Sequence, residues 1–479
     1  MNYRMIRYLL GVILMIEAVF MALPTIVAFI YGENPLPFVW TIALILGVSL
    51  PFVIFKPKNT QIYAKEGFVT VSAGWILLSA FGALPFVFSR VIPKYIDAFF
   101  ETVSGFTTTG ATLLTAIEGL PYGILFWRSL THWVGGMGVL VFMLAILPSA
   151  NGQTMHLMRA EVPGPTKGKL VPKMRQSSLI LYGIYVAMTL IEIAVLLLVG
   201  MPLYDAAVNA FGTAGTGGFA VLNNSIAGYN NPAAEWVIAI FMLLFGINFN
   251  IYFFILMGKI RDALKSEELR VYLIICALAT TLITINTARM FDSVSDTLRA
   301  SFFQVTSIIS TSGFSTVDFN LWPSFSKTIL FLLMITGACA GSTAGGLKLS
   351  RVIILCKSAL KEIRHMRRPK SVNVVRLDGE AVPSETVRSA MGYVVVYLLI
   401  FLSAVTLISI DGFSLETNIT TVLTMINNVG PGFDVVGPMG NFSVFSDFST
   451  AVLSFTMLIG RLEIMPMMIL FSTVFGKRK

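Results

Sequence analysis

The sequence predicts an all-α integral membrane protein: four repeats of long helix, short helix, glycine loop and long helix, preceded by two extra transmembrane helices. Three observations predict it. Of 479 residues, 56% are hydrophobic and 12% charged, whereas a soluble chain carries about 25% charged residues. Apolar runs of the roughly 20 residues needed to cross a bilayer recur along the whole chain. A short run of small or hydroxylated residues closed by a glycine occurs four times, each copy between two long apolar segments. The copies are Thr107-Thr108-Thr109-Gly110, Gly215-Thr216-Gly217-Gly218, Ser310-Thr311-Ser312-Gly313 and Asn427-Asn428-Val429-Gly430.

Ten spans can be drawn, at about residues 5–30, 37–56, 66–90, 123–148, 177–200, 233–258, 268–288, 324–356, 387–410 and 446–475. The first is too long for the apolar core of a secretory leader and lacks a convincing cleavage site, so a retained helix is expected. Four shorter segments, at about 97–106, 203–213, 297–308 and 415–426, cannot cross a bilayer, and each leads into one glycine motif. The expected units are an N-terminal extension over 1–62 and repeats over 63–158, 159–262, 263–380 and 381–479. Nine residues before each motif glycine stand Glu101, Asn209, Gln304 and Thr421. Polar groups at membrane depth are costly unless they face protein or water, so a shared bracing role behind the loop is expected. The plainer reading is that polar residues mark helix starts. Asp97 and Asp205 match at thirteen residues before the glycine in two copies only.

Charge orients the chain. Of 34 lysines and arginines, 27 fall in segments 1–8, 56–65, 159–175, 259–270, 348–388 and 477–479. Arg90, Lys94, Arg128, Arg289, Arg299 and Lys327 fall on the other side. The excess puts both termini in the cytoplasm and all four glycine loops outside. The net charge of +9 then reflects topology and acidic lipid headgroups, with no need for nucleic acid. The basic stretch 357–376, with Arg364, Arg367, Arg368 and Lys370, suits either membrane lipids or a docked regulator. Cys276, Cys339 and Cys356 lie in or beside apolar helices and are expected to be reduced and structural. His132, His156 and His365 are scattered, and neither a Gly-x-Ser-x-Gly elbow with a partnered histidine nor a His-Glu-x-x-His motif occurs. An enzyme is therefore not expected.

Backbone that leaves helical form at membrane depth must be buried in protein or line water. Four such loops around one axis offer carbonyls that replace the hydration shell of a cation. Glycine permits the positive φ that lets successive carbonyls face one way. The short helices end at the loops, so their negative dipole ends also favour a cation. Taken singly, each motif could equally be a glycine packing site between helices. In the first copy the threonine hydroxyls are possible extra ligands. The fourth copy is ambiguous between Gly430 and Gly432; Gly430 aligns with the other copies.

Longer stretches carry a resemblance. Trp133-Val134-Gly135-Gly136-Met137-Gly138 with Ala145-Ile146-Leu147-Pro148, Arg159-Ala160-Glu161-Val162-Pro163-Gly164-Pro165, Phe245-Gly246-Ile247-Asn248-Phe249, Cys339 to Lys348, and Gly460-Arg461-Leu462-Glu463 resemble the potassium-uptake proteins of the TrkH/TrkG/KtrB family. The resemblance covers essentially the whole chain, and the two extra helices point to the TrkH branch. It implies the fourfold repeat fold, usually as a homodimer, and K+ uptake across a prokaryotic plasma (inner) membrane, with K+ held at the sixteen motif residues. It also implies a cytosolic TrkA-like regulator ring that binds NAD(H), ATP or ADP. This chain carries no nucleotide-binding fingerprint, so no nucleotide is expected on it.

The second helix of repeat three carries Gly337, Gly341, Ser342, Thr343, Gly345 and Gly346. Each glycine costs a helix about 1 kcal/mol against alanine. A loop between two half-helices and a close helix crossing through small residues fit these residues equally well; the resemblance favours a loop over 339–347 acting as a gate. Arg461, inside the last span, implies function and a buried partner. Glu463 sits on another face, so carbonyls of the repeat-three loop are the expected partners. The alternative is snorkelling to the surface. Lys348 is a second candidate positive barrier. A symporter coupling K+ to H+ or Na+ would use midplane carboxylates. The candidates Glu101, Asp97 and Asp205 precede the filter instead, which favours a channel-like path.

Overall fold

The structure, a computed structural model, describes residues 1–59, 62–138, 174–369, 373–462, 464 and 466–470. Two helices come first, α1 (Tyr3–Ile30) and α2 (Leu36–Ile54). Asn2 caps α1 by accepting from the Met5 amide. Repeat one contains α3 (Ala64–Gly82), α4 (Leu84–Phe88), the pore helix α5 (Tyr95–Phe106) and α6 (Tyr122–Gly136). Repeat two contains α7 (Met174–Leu198), the pore helix α8 (Leu203–Gly215), α9 (Pro232–Phe245), α10 (Phe249–Leu256) and the short α11 (Ile260–Leu264). Repeat three contains α12 (Glu267–Thr287), the pore helix α13 (Val294–Ile309), α14 (Ser324–Thr336) and α15 (Leu349–Arg367). An antiparallel hairpin, β1 (Arg376–Leu377) with β2 (Glu380–Ala381), leads to repeat four: α16 (Ser384–Ile408), the pore helix α17 (Leu415–Asn427) and α18 (Asp447–Arg461).

Helix starts follow from short polar side chains that accept otherwise unpaired amides. Ser266, Ser293, Ser414 and Ser446 do this for α12, α13, α17 and α18, and Asn231 for α9. Burial inverts the pattern of a soluble protein. Serine and threonine fill the centre, with Thr107, Thr109, Thr213, Ser307 and Thr424 fully buried, while Leu198 and Ile285 are 85% and 70% exposed on the outside. An apolar exterior suits hydrocarbon, and a polar interior survives where its groups are bonded or line water.

Among the described residues, six helices are long and apolar enough to cross a membrane, and a seventh span is bent. Two of the ten expected spans are corrected. The runs 233–258 and 446–475 were expected to be continuous helices, yet α9 and α10 meet at 91°, and α18 stops at Arg461. Gly246 sits against the Tyr272 hydroxyl, and Asn248 restarts the helix by accepting from the Asn250 amide at 3.0 Å. In repeat one, α6 stops at Gly136; the rest of the 123–148 run, with Ala145 to Pro148 and Arg159 to Pro165, lies outside the described residues, as do Lys370 and Glu463. In repeat three, α14 stops at Thr336 and α15 begins at Leu349. The second helix of every repeat thus ends part-way, where only the third was expected to.

Candidate ion-conduction site

Each pore helix ends in the same way. The residue two before the motif glycine takes left-handed backbone: Thr108 at φ +57°, Thr216 at +57°, Thr311 at +59° and Asn428 at +53°. Its amide reaches back three residues, to Gly105, Thr213, Ile308 and Met425. The next amide, of Thr109, Gly217, Ser312 or Val429, reaches back five, to Ser104, Gly212, Ser307 and Thr424, at 2.8–2.9 Å. This pair of bonds is the Schellman ending, which usually carries glycine at the left-handed position. A β-branched residue there is an outlier. The motif glycine then takes positive φ again: Gly110 at +79°, Gly218 at +75°, Gly313 at +78° and Gly430 at +98°. Gly432 does not take positive φ; its amide bonds to Val436 O at 2.8 Å. Gly430 therefore stands in register with the other three.

The four loops close on one another. A Cβ on Gly110 would overlap Gly217 O; on Gly218, Ser312 O; on Gly313, Val429 O. On Gly430 it would lie 2.8 Å from Thr109 O. Each glycine thus abuts the carbonyl that precedes the glycine of the next copy, and the fourth returns to the first. The arrangement is a four-membered ring. In each copy, the carbonyls of the last three motif residues accept no hydrogen bond among the described residues. Buried backbone carbonyls are nearly always paired, so a ring of unpaired ones is chemically suited to a cation. Among the described residues no cluster of three or more His, Cys, Asp or Glu side chains is placed to hold a metal, so backbone oxygens are the ligands on offer.

The hydroxyls face protein. Thr107 bonds to Val103 O and to the Thr109 hydroxyl, Ser310 bonds to the Ser312 hydroxyl, and Thr216 bonds to Gly215 O. The idea of first-copy hydroxyls as ligands is therefore corrected for Thr107 and Thr109; the Thr108 hydroxyl alone has no partner there. Asn428 Nδ2 donates to the Thr109 hydroxyl at 2.9 Å and to Met457 O at 3.1 Å, tying copies one and four together. Asn427 donates to the Tyr397 hydroxyl at 2.9 Å.

Behind the loops, the polar set divides. Glu101 is fully engaged: it receives Arg128 Nε at 2.6 Å, the Thr112 hydroxyl at 2.9 Å and the Leu113 amide at 3.0 Å. Arg128 also reaches Ala220 O at 3.2 Å and lies 3.6 Å over the Phe219 ring, so it clamps the outer segments of copies one and two. Asn209 bonds to the Tyr229 hydroxyl at 3.1 Å. Gln304 and the Thr421 hydroxyl have no partner among the described residues; bracing by hydrogen bonds is thus limited to two repeats. His132, which sequence alone left unassigned, bonds through Nδ1 to Gly105 O at 2.7 Å, and its ring fills the space beside Gly217.

The segment 337–348 packs between the filter and the neighbouring repeats. The Gly345 amide donates to the Thr311 hydroxyl at 2.7 Å, and Gly345 abuts Asn427 O. Gly346, at φ +81°, packs on Gly337. Gly341 sits on Asn248, and its carbonyl accepts from the Phe249 amide at 3.0 Å. Ser342 bonds to Cys339 O at 2.7 Å, and the Thr343 hydroxyl to Phe245 O at 3.3 Å. Lys348, buried and at φ +71°, donates to Ala344 O. Arg461 donates to Thr343 O at 2.7 Å, Gly135 O at 2.7 Å and Gly136 O at 2.9 Å. One guanidinium thus joins repeats four, three and one. The Thr343 contact falls within the expected loop. Gly135 and Gly136 were not anticipated as partners; in the sequence they are two adjacent glycines inside the expected span 123–148.

Residues 38–477 match the TrkH family of cation transport proteins. The chain belongs to the TrkH family. Over 488 residues, all of both chains, it is 34% identical to the Trk system potassium uptake protein TrkH of Salmonella typhimurium. It is 32% identical to the Trk system potassium uptake protein TrkG of Escherichia coli over 99% of each chain. The crystal structure of the potassium transporter TrkH from Vibrio parahaemolyticus superposes with TM-score 0.88 at 29% identity, covering both chains completely. A TrkH-family chain is a cation transporter, not an enzyme, and the family match agrees with the fourfold membrane fold.

Proposed function

We propose that this chain is a channel-like K+ uptake protein, permeant to Rb+, of a prokaryotic plasma (inner) membrane. The observation that carries the reading is the closed ring of Gly110, Gly218, Gly313 and Gly430, each against the next copy's carbonyl, with the ring carbonyls unpaired. Such carbonyls replace a dehydrated cation's water shell, and the relatives are named potassium uptake proteins. The ligands are the carbonyls of Thr107 to Gly110, Gly215 to Gly218, Ser310 to Gly313 and Asn427 to Gly430. The lysine- and arginine-rich segments lie in the cytoplasm, with both termini, and the filter opens outward. Glu101 is held by Arg128 and two other donors, which supports a passive path over proton coupling.

The gate is the segment 339–347 with Arg461. A cation cannot pass a guanidinium held across its path by three carbonyls of two other repeats without first displacing it. A homodimer, contact with membrane lipids, and control by a cytosolic nucleotide-binding TrkA-like ring complete the reading; the relatives' names place them in a Trk system. The test is Rb+ flux into liposomes holding the purified protein. Competition by K+ with little by Na+, and current reversing at the K+ equilibrium potential at every pH, support the reading. Equal K+ and Na+ flux defeats the filter assignment, and a reversal potential that tracks pH defeats the passive one.

A further inference from the structure

The intramembrane loop has a second anchor besides Arg461, on the repeat's own first helix. α12 begins at Glu267, and its first turn carries Glu268, which is 7% exposed. One oxygen of Glu268, Oε1, receives the Ala340 amide at 2.7 Å and the Ser350 amide at 2.9 Å. These two amides flank the loop. Ser350 is in the first turn of α15, where amides lack helical acceptors and a carboxylate is favoured by the dipole. A single oxygen therefore fixes where the loop leaves its flank and where the next half-helix starts.

The residue beside it is tied the other way. The Glu267 amide donates to Asp378 Oδ1 at 2.7 Å, and its carboxylate pairs with Lys357 Nζ. Lys357 in turn donates to Arg376 O at 2.9 Å. Asp378 and Gly379 form the exposed turn between β1 and β2, at φ +51° and +84°. A continuous path thus runs from the hairpin through the start of α12 to the loop, and from the loop to the filter through the Gly345–Thr311 bond.

We propose that Glu268 is a positioning residue for the gate: it holds both flanks of the 340–350 segment and couples them to the 376–381 hairpin. The inference rests on the reading of that segment as a gate. Displacing the hairpin on the cytoplasmic face shifts the first turn of α12 and with it both amides that Glu268 holds. Its effect is on the gate and leaves the carbonyl ring untouched.

The test uses purified full-length protein in liposomes, in a Cys356→Ser background carrying Ser342→Cys. Glu268→Ala, Glu268→Gln and Arg461→Ala are compared for resting Rb+ flux and for the rate at which a methanethiosulfonate reagent labels residue 342, each against the background without Ser342→Cys. Glu268→Ala removes two charge-assisted bonds and is expected to raise both by about tenfold. Glu268→Gln keeps an acceptor oxygen and is expected to restore most of the parental behaviour. K+ over Na+ preference is expected to stay parental in both. Parental flux and labelling in a folded Glu268→Ala variant, with flux raised in Arg461→Ala, overturns the inference and leaves the gate reading standing. Unchanged flux in all three variants defeats the gate reading itself. Should Glu268→Ala fail to fold, Asp378→Ala is the second variant. It lies on the exposed turn and is expected to raise labelling by about threefold through loss of one bond to a charged group; a parental rate overturns the coupling.

Discussion

At the residue scale, the ring of motif glycines rests on two demands that one atom would violate. Gly110, Gly218 and Gly313 need positive φ and have the next copy's carbonyl where a Cβ would stand. Gly218→Ser or Gly313→Ser is therefore expected to lower the K+ over Na+ permeability ratio by about tenfold or more, because the displaced carbonyl changes the ring's size and field; bi-ionic reversal potentials measure it. Gly432→Ala meets Val436 and Thr420 instead, so it is expected to reduce thermal stability while keeping that ratio. The left-handed threonines are the other residue-scale finding. Left-handed backbone costs a non-glycine residue about 1–2 kcal/mol, and the pore-helix endings impose it. The hydroxyl of Thr311 then accepts from Gly345. Thr311→Val leaves that amide unpaired in the interior, a loss of about 1–3 kcal/mol, expected as a lower melting temperature in detergent together with altered resting flux. The motif glycines were legible because no other residue fits both demands. Left-handed Thr108, Thr216 and Thr311 were not, because a β-branched side chain signals extended backbone.

At the scale of elements, the second helix of every repeat stops early, and each stop has a local cause. Gly460 abuts Ile426 O and Gly135 abuts Phe106 O, close approaches to the pore-helix ends that no side chain permits. Gly246 and Asn248 turn α9 into α10, and the repeat-three loop docks on that bend through the Phe249 and Cys339 amides. Only repeat three concentrates several glycines, and even there a break and a close helix crossing fit the residues equally well until the family resemblance favoured the break; single glycines elsewhere look like packing sites. Arg461 uses the carbonyls exposed at these breaks. Arg461→Ala is expected to raise resting Rb+ flux by about tenfold or more, since three charge-assisted bonds are lost. Arg461→Lys is expected to fall between, because an ammonium lacks the planar fork that reaches Thr343 and Gly135 together. Flux in liposomes measures both.

At the scale of the molecule, one clamp joins repeats one and two on the filter side. Arg128 and Glu101, 2% and 0% exposed at their side chains, form a 2.6 Å pair. Removing one partner of a buried pair costs about 3–5 kcal/mol through the charge left behind. Arg128→Ala is thus expected to lower the melting temperature in detergent sharply, and Arg128→Lys by less; thermal unfolding of the purified protein checks this. The sequence placed Glu101 correctly as a brace but could not show that Gln304 and Thr421, at the same offset, would lack partners. Offsets repeat along the chain, whereas partners arrive from loops of different length and composition in each repeat.

Composition, span length and four motif glycines determined that the chain spans a membrane, how many repeats it has and that four short loops leave helical form at the motifs. Those properties follow from the hydrocarbon's refusal of unpaired polar groups and from glycine's missing Cβ, and both act locally. Only the tertiary structure decided that the four loops close in a ring, that Gly430 rather than Gly432 completes it, that every second helix breaks, and that Arg461 and Glu268 hold the segment beside it. Each of those depends on backbone carbonyls and amides from separate repeats meeting in space, and a backbone group carries no sequence signal of its own partner.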